Sequence, residues 1–207
     1  MKKTKRPAAR MAAGKKSKPA ARRARANVRA RPKRAAKPGA ARTGGGHLKR
    51  QYVAMFAKEF PITLKLMKAY PSGQDDFKPH ERSASAARLA HTFSMHNGIV
   101  VKAISGELTM PPEFPPAPTT YAEAVANYER GARELLAALE QMPESRLSET
   151  VDFFTGPRQM SPVPVADLLW LMLMDSIHHR GQLSVYVRMA GGKVPSIYGP
   201  SADEPWM

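Results

Sequence analysis

From Val53 to the end of the chain, apolar side chains return every three or four residues in four separate stretches, the period of helices with one buried face. In the first stretch Val53, Phe56, Ala57, Phe60, Leu64 and Met67 share a face and run through Pro61, which should kink a helix ending near Tyr70-Pro71. In the second, Leu89, Phe93, His96, Val100 and Ala103 keep within an arc of about 80° at 100° per residue. His96 is therefore expected on the apolar face, and His91, about 160° from the stripe centre, toward solvent or a partner. Pro111 to Pro118 reads as a stiff connection, and Thr120-Tyr121-Ala122-Glu123 has the form of a capping box. It opens a third helix with Tyr121, Val125, Tyr128, Leu135, Leu136 and Leu139 on one side. Between Met142 and Val163 lie turn residues and the extended-looking VDFFTG, too short for an independent element. Pro164 suits the first turn of a fourth helix and Gly191-Gly192 its end. Four amphipathic helices with no convincing strand pair predict an all-α fold, a bundle of four helices.

Charge divides the 207 residues sharply. Residues 1–50 hold 19 of the 33 Lys and Arg and none of the 17 Asp and Glu; the remaining 157 carry 14 basic and 17 acidic side chains, a net of −3. Residues 1–46 alternate Ala, Pro and Lys/Arg and close on Gly44-Gly45-Gly46, so they are expected to be a disordered tail ahead of a folded unit at 47–207. Such a polycation binds nucleic acid by counterion release, without sequence preference, since no aromatic residue precedes Tyr52 to stack on bases. A solubilising extension, a transit peptide or an upstream start codon are the other readings of the same tail. With no Cys, disulfides and thiolate ligands are excluded, and any metal must be held by nitrogen and oxygen. The absence of a long apolar run predicts a soluble, cytoplasmic protein with no membrane partner, nucleoid-associated if the tail acts on DNA.

The fourth helix carries the chemistry. Residues 168–174, LLWLMLM, are apolar on every side, which places this helix centrally or at a subunit interface. Leu168, Met172, Asp175, His179, Leu183 and Tyr186 then share an arc of about 80°, so a carboxylate and an imidazole one turn apart continue the core stripe. A carboxylate in that position needs a partner. A cation held by Asp175 and His179, with His96 from the second helix as third ligand, would supply one and leave positions open. Spacing alone equally allows Asp175 and His179 to pair with each other or with an Arg, and His96 to be a core histidine. His178, about 100° from His179, reads as a supporting or interface residue, and Arg180 and Gln182 as helix-end contacts. Tyr198 and Asp203 fall in the C-terminal loop VPSIYGPSADEPW, expected to pack over the bundle end.

The run LLWLMLMDSIHHRGQLSVYVRMAGGKVPSIYGPSADEPW resembles the C-terminal signature of the DinB-like (damage-inducible) family, in particular its Asp-Ser-Ile-His-His-Arg-Gly-Gln subgroup, and PHERSASAARLAHTF resembles the start of its second helix. The resemblance spans roughly residues 50–207. It implies a four-helix bundle of up-down-down-up topology, often a homodimer, binding nickel, zinc or a similar divalent ion. The usual ligands are one His on the second helix and an i, i+4 His pair on the fourth. His179 matches the last of these; Asp175 stands where many members have His, and His96 where this subgroup commonly has Glu. The implied activity is metal-dependent transfer of a low-molecular-weight thiol or a related hydrolysis. The competing expectation is a non-catalytic, stress-related protein whose tail binds DNA. No catalytic residue is assigned.

Overall fold

Each helix forms where the sequence supplies both a buried face and an end signal. The computed structural model describes residues 45–207; the expectations for the basic tail at 1–44 lie outside the described residues. Helix α1 spans Gly45–Lys68, α2 Ala86–Ser105, α3 Tyr121–Gln141 and α4 Val165–Met189. Ser85 caps α2, its hydroxyl accepting from the Arg88 amide, and Gly106 closes it at φ 87°. At the start of α3 the Thr120 hydroxyl accepts from the Glu123 amide at 3.1 Å, as a capping box requires. The return bond is displaced by one residue, Glu123 accepting from the Thr119 amide at 2.9 Å. Helix α4 ends in a Schellman arrangement: Gly191 has φ 83°, its amide donates to the Arg188 carbonyl, and the Gly192 amide donates to the Val187 carbonyl at 2.8 Å.

Helix α2 packs on α3 and α4, and α1 packs on the same two. Their shared interior holds Phe56, Leu66 and Met67 of α1, Phe93 and Val100 of α2, Leu135 and Leu139 of α3, and Leu168, Leu183 and Val187 of α4. Tyr128 of α3 joins three helices, meeting Phe60 of α1 and Phe93 of α2 edge-on at 5.8 and 5.7 Å between ring centroids.

Four expectations are corrected. The chain is mostly helical rather than all-α, because β1 (Thr150–Gly156) and β2 (Gln159–Pro164) pair antiparallel. VDFFTG supplies β-branched and aromatic residues with Phe153 buried, while Pro162 and Pro164 disguise β2; both are tolerated because a two-stranded ribbon is all edge. Helix α1 begins two turns before Val53. Its buried face keeps Phe56, Leu64 and Met67 of the apolar stripe but is rotated by roughly 70°, taking in Tyr52, Glu59, Thr63 and Leu66 while Ala57 is exposed. Finally, His91 is buried rather than turned to solvent. No helix among the described residues is long and apolar enough to cross a membrane.

Candidate metal centre

The apolar stripe of α4 behaves as its spacing dictates: Leu168, Met172, Leu183 and Tyr186 are buried. Asp175 and His179 continue that stripe, yet their side chains keep 40% and 23% exposure. The carboxylate is thus less buried than its place on the stripe predicts, and open to an incoming ligand. Opposite, α2 delivers His96 at 8% side-chain exposure.

The three side chains converge on one point. His96 Nε2 lies 3.1 Å and His179 Nε2 3.6 Å from the same atom, Asp175 Oδ2. One ligating atom from each residue lies within 4.8 Å of the others, a span that a cation with N/O bonds of about 2.0–2.2 Å can bridge. Both imidazoles are held from behind. His96 Nδ1 is 2.9 Å from Ser176 Oγ, and His179 Nδ1 is 3.1 Å from Gln182 Oε1. Engaging Nδ1 aims Nε2 at the shared point, the usual arrangement behind a metal-bound His. Burial lowers the pKa of His96, against the opposing pull of the Asp175 carboxylate. The neutral imidazole so favoured is the form that ligates a metal. Donor set and geometry therefore fit a divalent cation.

Residues around this point play parts that spacing did not reveal. Ser176 carries no signal in the spacing. Gln182, expected as a helix-end contact, bridges the two histidines, its Nε2 lying 2.8 Å from His178 Nε2 while its Oε1 meets His179. His178 itself is exposed. Arg180, also expected at a helix end, is 2% exposed: its Nη1 donates to Glu59 Oε2 at 2.6 Å and to Thr63 Oγ1 at 3.2 Å, and its Nη2 to the Tyr198 hydroxyl. Tyr198 donates in turn to Glu59 at 2.7 Å, so the C-terminal loop packs on the bundle through this buried pair. The one local signal is Glu59, the single acidic side chain of α1, with Thr63 one turn on; it marks a charge in need of a partner without naming that partner. Beside His179 an open groove of about 490 Å³ is lined by Ser83, Arg88, Thr92, Gln182 and Tyr186, with Arg88 its one Lys, Arg, Asp or Glu side chain.

A helical protein whose second and fourth helices bring together a His, Asp and His cluster able to hold a cation defines the class. The model of the DinB family matches residues 43–206, and the chain belongs to that family. It is 32% identical over 108 residues to YrdA of Bacillus subtilis (strain 168), a protein described as uncharacterized. That match takes in 52% of this chain and 62% of YrdA, so the chain spans less than two thirds of that relative's length. Its fold is shared by two solved structures. One is a DinB-like protein of Bacillus cereus ATCC 10987, with TM-score 0.61 and 20% identity, covering 72% of this chain and 97% of that one. The other is the DinB-like protein YjoA of Bacillus subtilis, with TM-score 0.57 and 23% identity, covering 76% of this chain and 99% of that one.

Proposed function

We propose that His96, Asp175 and His179 hold a divalent cation, nickel or zinc, and that the protein is a metal-dependent thiol transferase or a related hydrolase. The observation that carries the reading is the convergence of both His Nε2 atoms on Asp175 Oδ2 with each Nδ1 already engaged. A bound cation lowers the pKa of a coordinated thiol or water, providing the nucleophile at neutral pH. The chain's own contributions are the three ligands, the orienting contacts from Ser176 and Gln182, and a groove wide enough for the body of a low-molecular-weight thiol, with Arg88 beside it. The up-down-down-up order of the four helices is part of this proposal.

Elemental analysis after incubation with nickel or zinc and dialysis tests the site. Wild type is expected to retain about one metal per chain and His179→Ala to retain at least about tenfold less; a wild type without stoichiometric metal overturns the reading. A second reading, a non-catalytic stress-related or nucleoid-associated protein in the cytoplasm, is favoured by the concentration of 19 basic and no acidic residues in positions 1–50. Metal-dependent consumption of a thiol with an electrophile decides for the first.

A further inference from the structure

A second pocket, sharing no residue with the metal triad, opens between α2, α3 and the Pro-rich segment that joins them. Its volume of about 320 Å³ lies in the range of small-molecule sites, about 300–1,000 Å³. We propose that it binds a small, neutral, largely apolar molecule that presents a carbonyl-type hydrogen-bond acceptor.

Space is the first ground. Gly98 of α2 and Gly131 of α3 both line the pocket, and a Cβ built on either would meet nothing within 4 Å. A glycine inside a helix destabilises it relative to Ala. Two such positions border the same opening, and larger residues at either would fill it.

The second ground is a row of unpartnered polar atoms. His91 Nδ1, Ser94 Oγ and Asn97 Nδ2 are buried without a hydrogen-bond partner, and all three residues line this pocket. At intervals of three they lie along one side of α2. His91 and Asn97 are only 9% and 5% exposed, and the three unpartnered atoms have almost no accessible surface, so a ligand meets them with a small turn of these side chains toward the opening. Each such orphan is destabilising, and native structures keep few of them.

The ligand class follows from the donors and charges. An amide nitrogen only donates, so Asn97 requires an acceptor on the ligand. Ser94 can donate or accept, and so can His91, whose imidazolium is disfavoured by burial. Around the rim Lys102 and Arg130 are balanced by Glu113 and Glu134. Both cations are engaged: Lys102 Nζ donates to the Glu113 carbonyl at 2.8 Å, and Arg130 to Asn127 Oδ1 at 2.7 Å. That balance favours a neutral ligand, while Met95, Val101, Phe114 and two prolines supply an apolar wall.

Nile red, a neutral dye with a ring carbonyl, is a direct probe. Titration should show saturable blue-shifted emission at about one dye per chain. Gly131→Leu should weaken binding at least about tenfold with its thermal melt preserved; if that variant does not fold, Gly98→Met is read by the same criterion. Asn97→Leu should also weaken binding, and metal-stripped Asp175→Ala should bind as wild type. Unsaturable binding, or wild-type affinity in a folded pocket-filling variant, overturns the proposal, as does loss of binding only on Met174→Glu at the exposed face of α4.

Discussion

Cutting either end of the Arg180–Glu59 pair leaves a charge inside the contact between α1 and α4, where both side chains are nearly fully buried. Removing one partner of a buried ion pair typically costs about 3–5 kcal/mol, whereas replacing both by apolar groups is close to neutral. Arg180→Ala should therefore lower the urea midpoint by the equivalent of about 3–5 kcal/mol, and Glu59→Leu combined with Arg180→Leu should recover most of it. If the single and double variants unfold at the same midpoint, the pair does not act as described. Ser176 gives a finer test of the metal reading. Removing its hydroxyl frees His96 Nδ1 without touching a ligand, so Ser176→Ala should weaken metal binding by about 10–100-fold while the melting curve of the stripped protein stays put. Spacing on α4 made His179 and Asp175 legible, and the α2 stripe did the same for His96. It could not show Ser176 or the Glu59–Arg180 contact, because a polar residue's partner across 121 positions of chain leaves no periodic trace.

Among the elements, the hairpin was least legible and α2 to α4 most. The capping and glycine signals act through local backbone bonds, so Thr120 and Gly191 announce helix ends wherever the helices pack. The hairpin instead depends on a turn, Pro157-Arg158, in which Arg158 takes φ 61° after a proline, the requirement of a type II turn that glycine usually meets. Arg158→Gly relieves that left-handed conformation and should raise stability by up to about 1 kcal/mol; a lower midpoint in thermal melts would contradict the turn assignment. The loop after α4 is held electrostatically. Hydrogen bonding to Arg188 lowers the Asp203 pKa, and hydrogen bonding to Lys65 lowers that of Glu204. Carboxylates depressed in the folded state stabilise it fully above their unfolded pKa values, about 4, and progressively less as pH falls through the folded ones. Exchange protection at the Val194 and Ser196 amides, which donate to these carboxylates, should drop on acidification from about pH 5 before the amides of α2 and α3 lose theirs. Equal protection at both ends of that range would sink this account of the loop.

At the scale of the whole molecule, the two remaining features are an uncovered helix face and a polycation. Leu171, Met174, Val185 and Met189 are 41–57% exposed on α4 and fall within an arc of about 60°. Apolar runs of this kind on a soluble surface mark contacts with other molecules. The homodimer expected for this chain would cover the face, and Met174→Glu with Val185→Glu should then shift sedimentation from dimer to monomer. The basic segment is separate in composition, since the rest of the chain is net −3 and gives a nucleic acid no long-range attraction. DNA affinity, if the tail supplies it, must therefore track the tail and salt alone. For about six phosphates engaged, the association constant should fall about a thousandfold between 50 and 200 mM salt. Deleting residues 1–46 should abolish retardation of DNA of any sequence, and Asp175→Ala should leave the salt slope unchanged. Retention by the truncated chain would move the interface onto the helices. A flat salt dependence would show that phosphate neutralisation is not what the basic residues of the tail do.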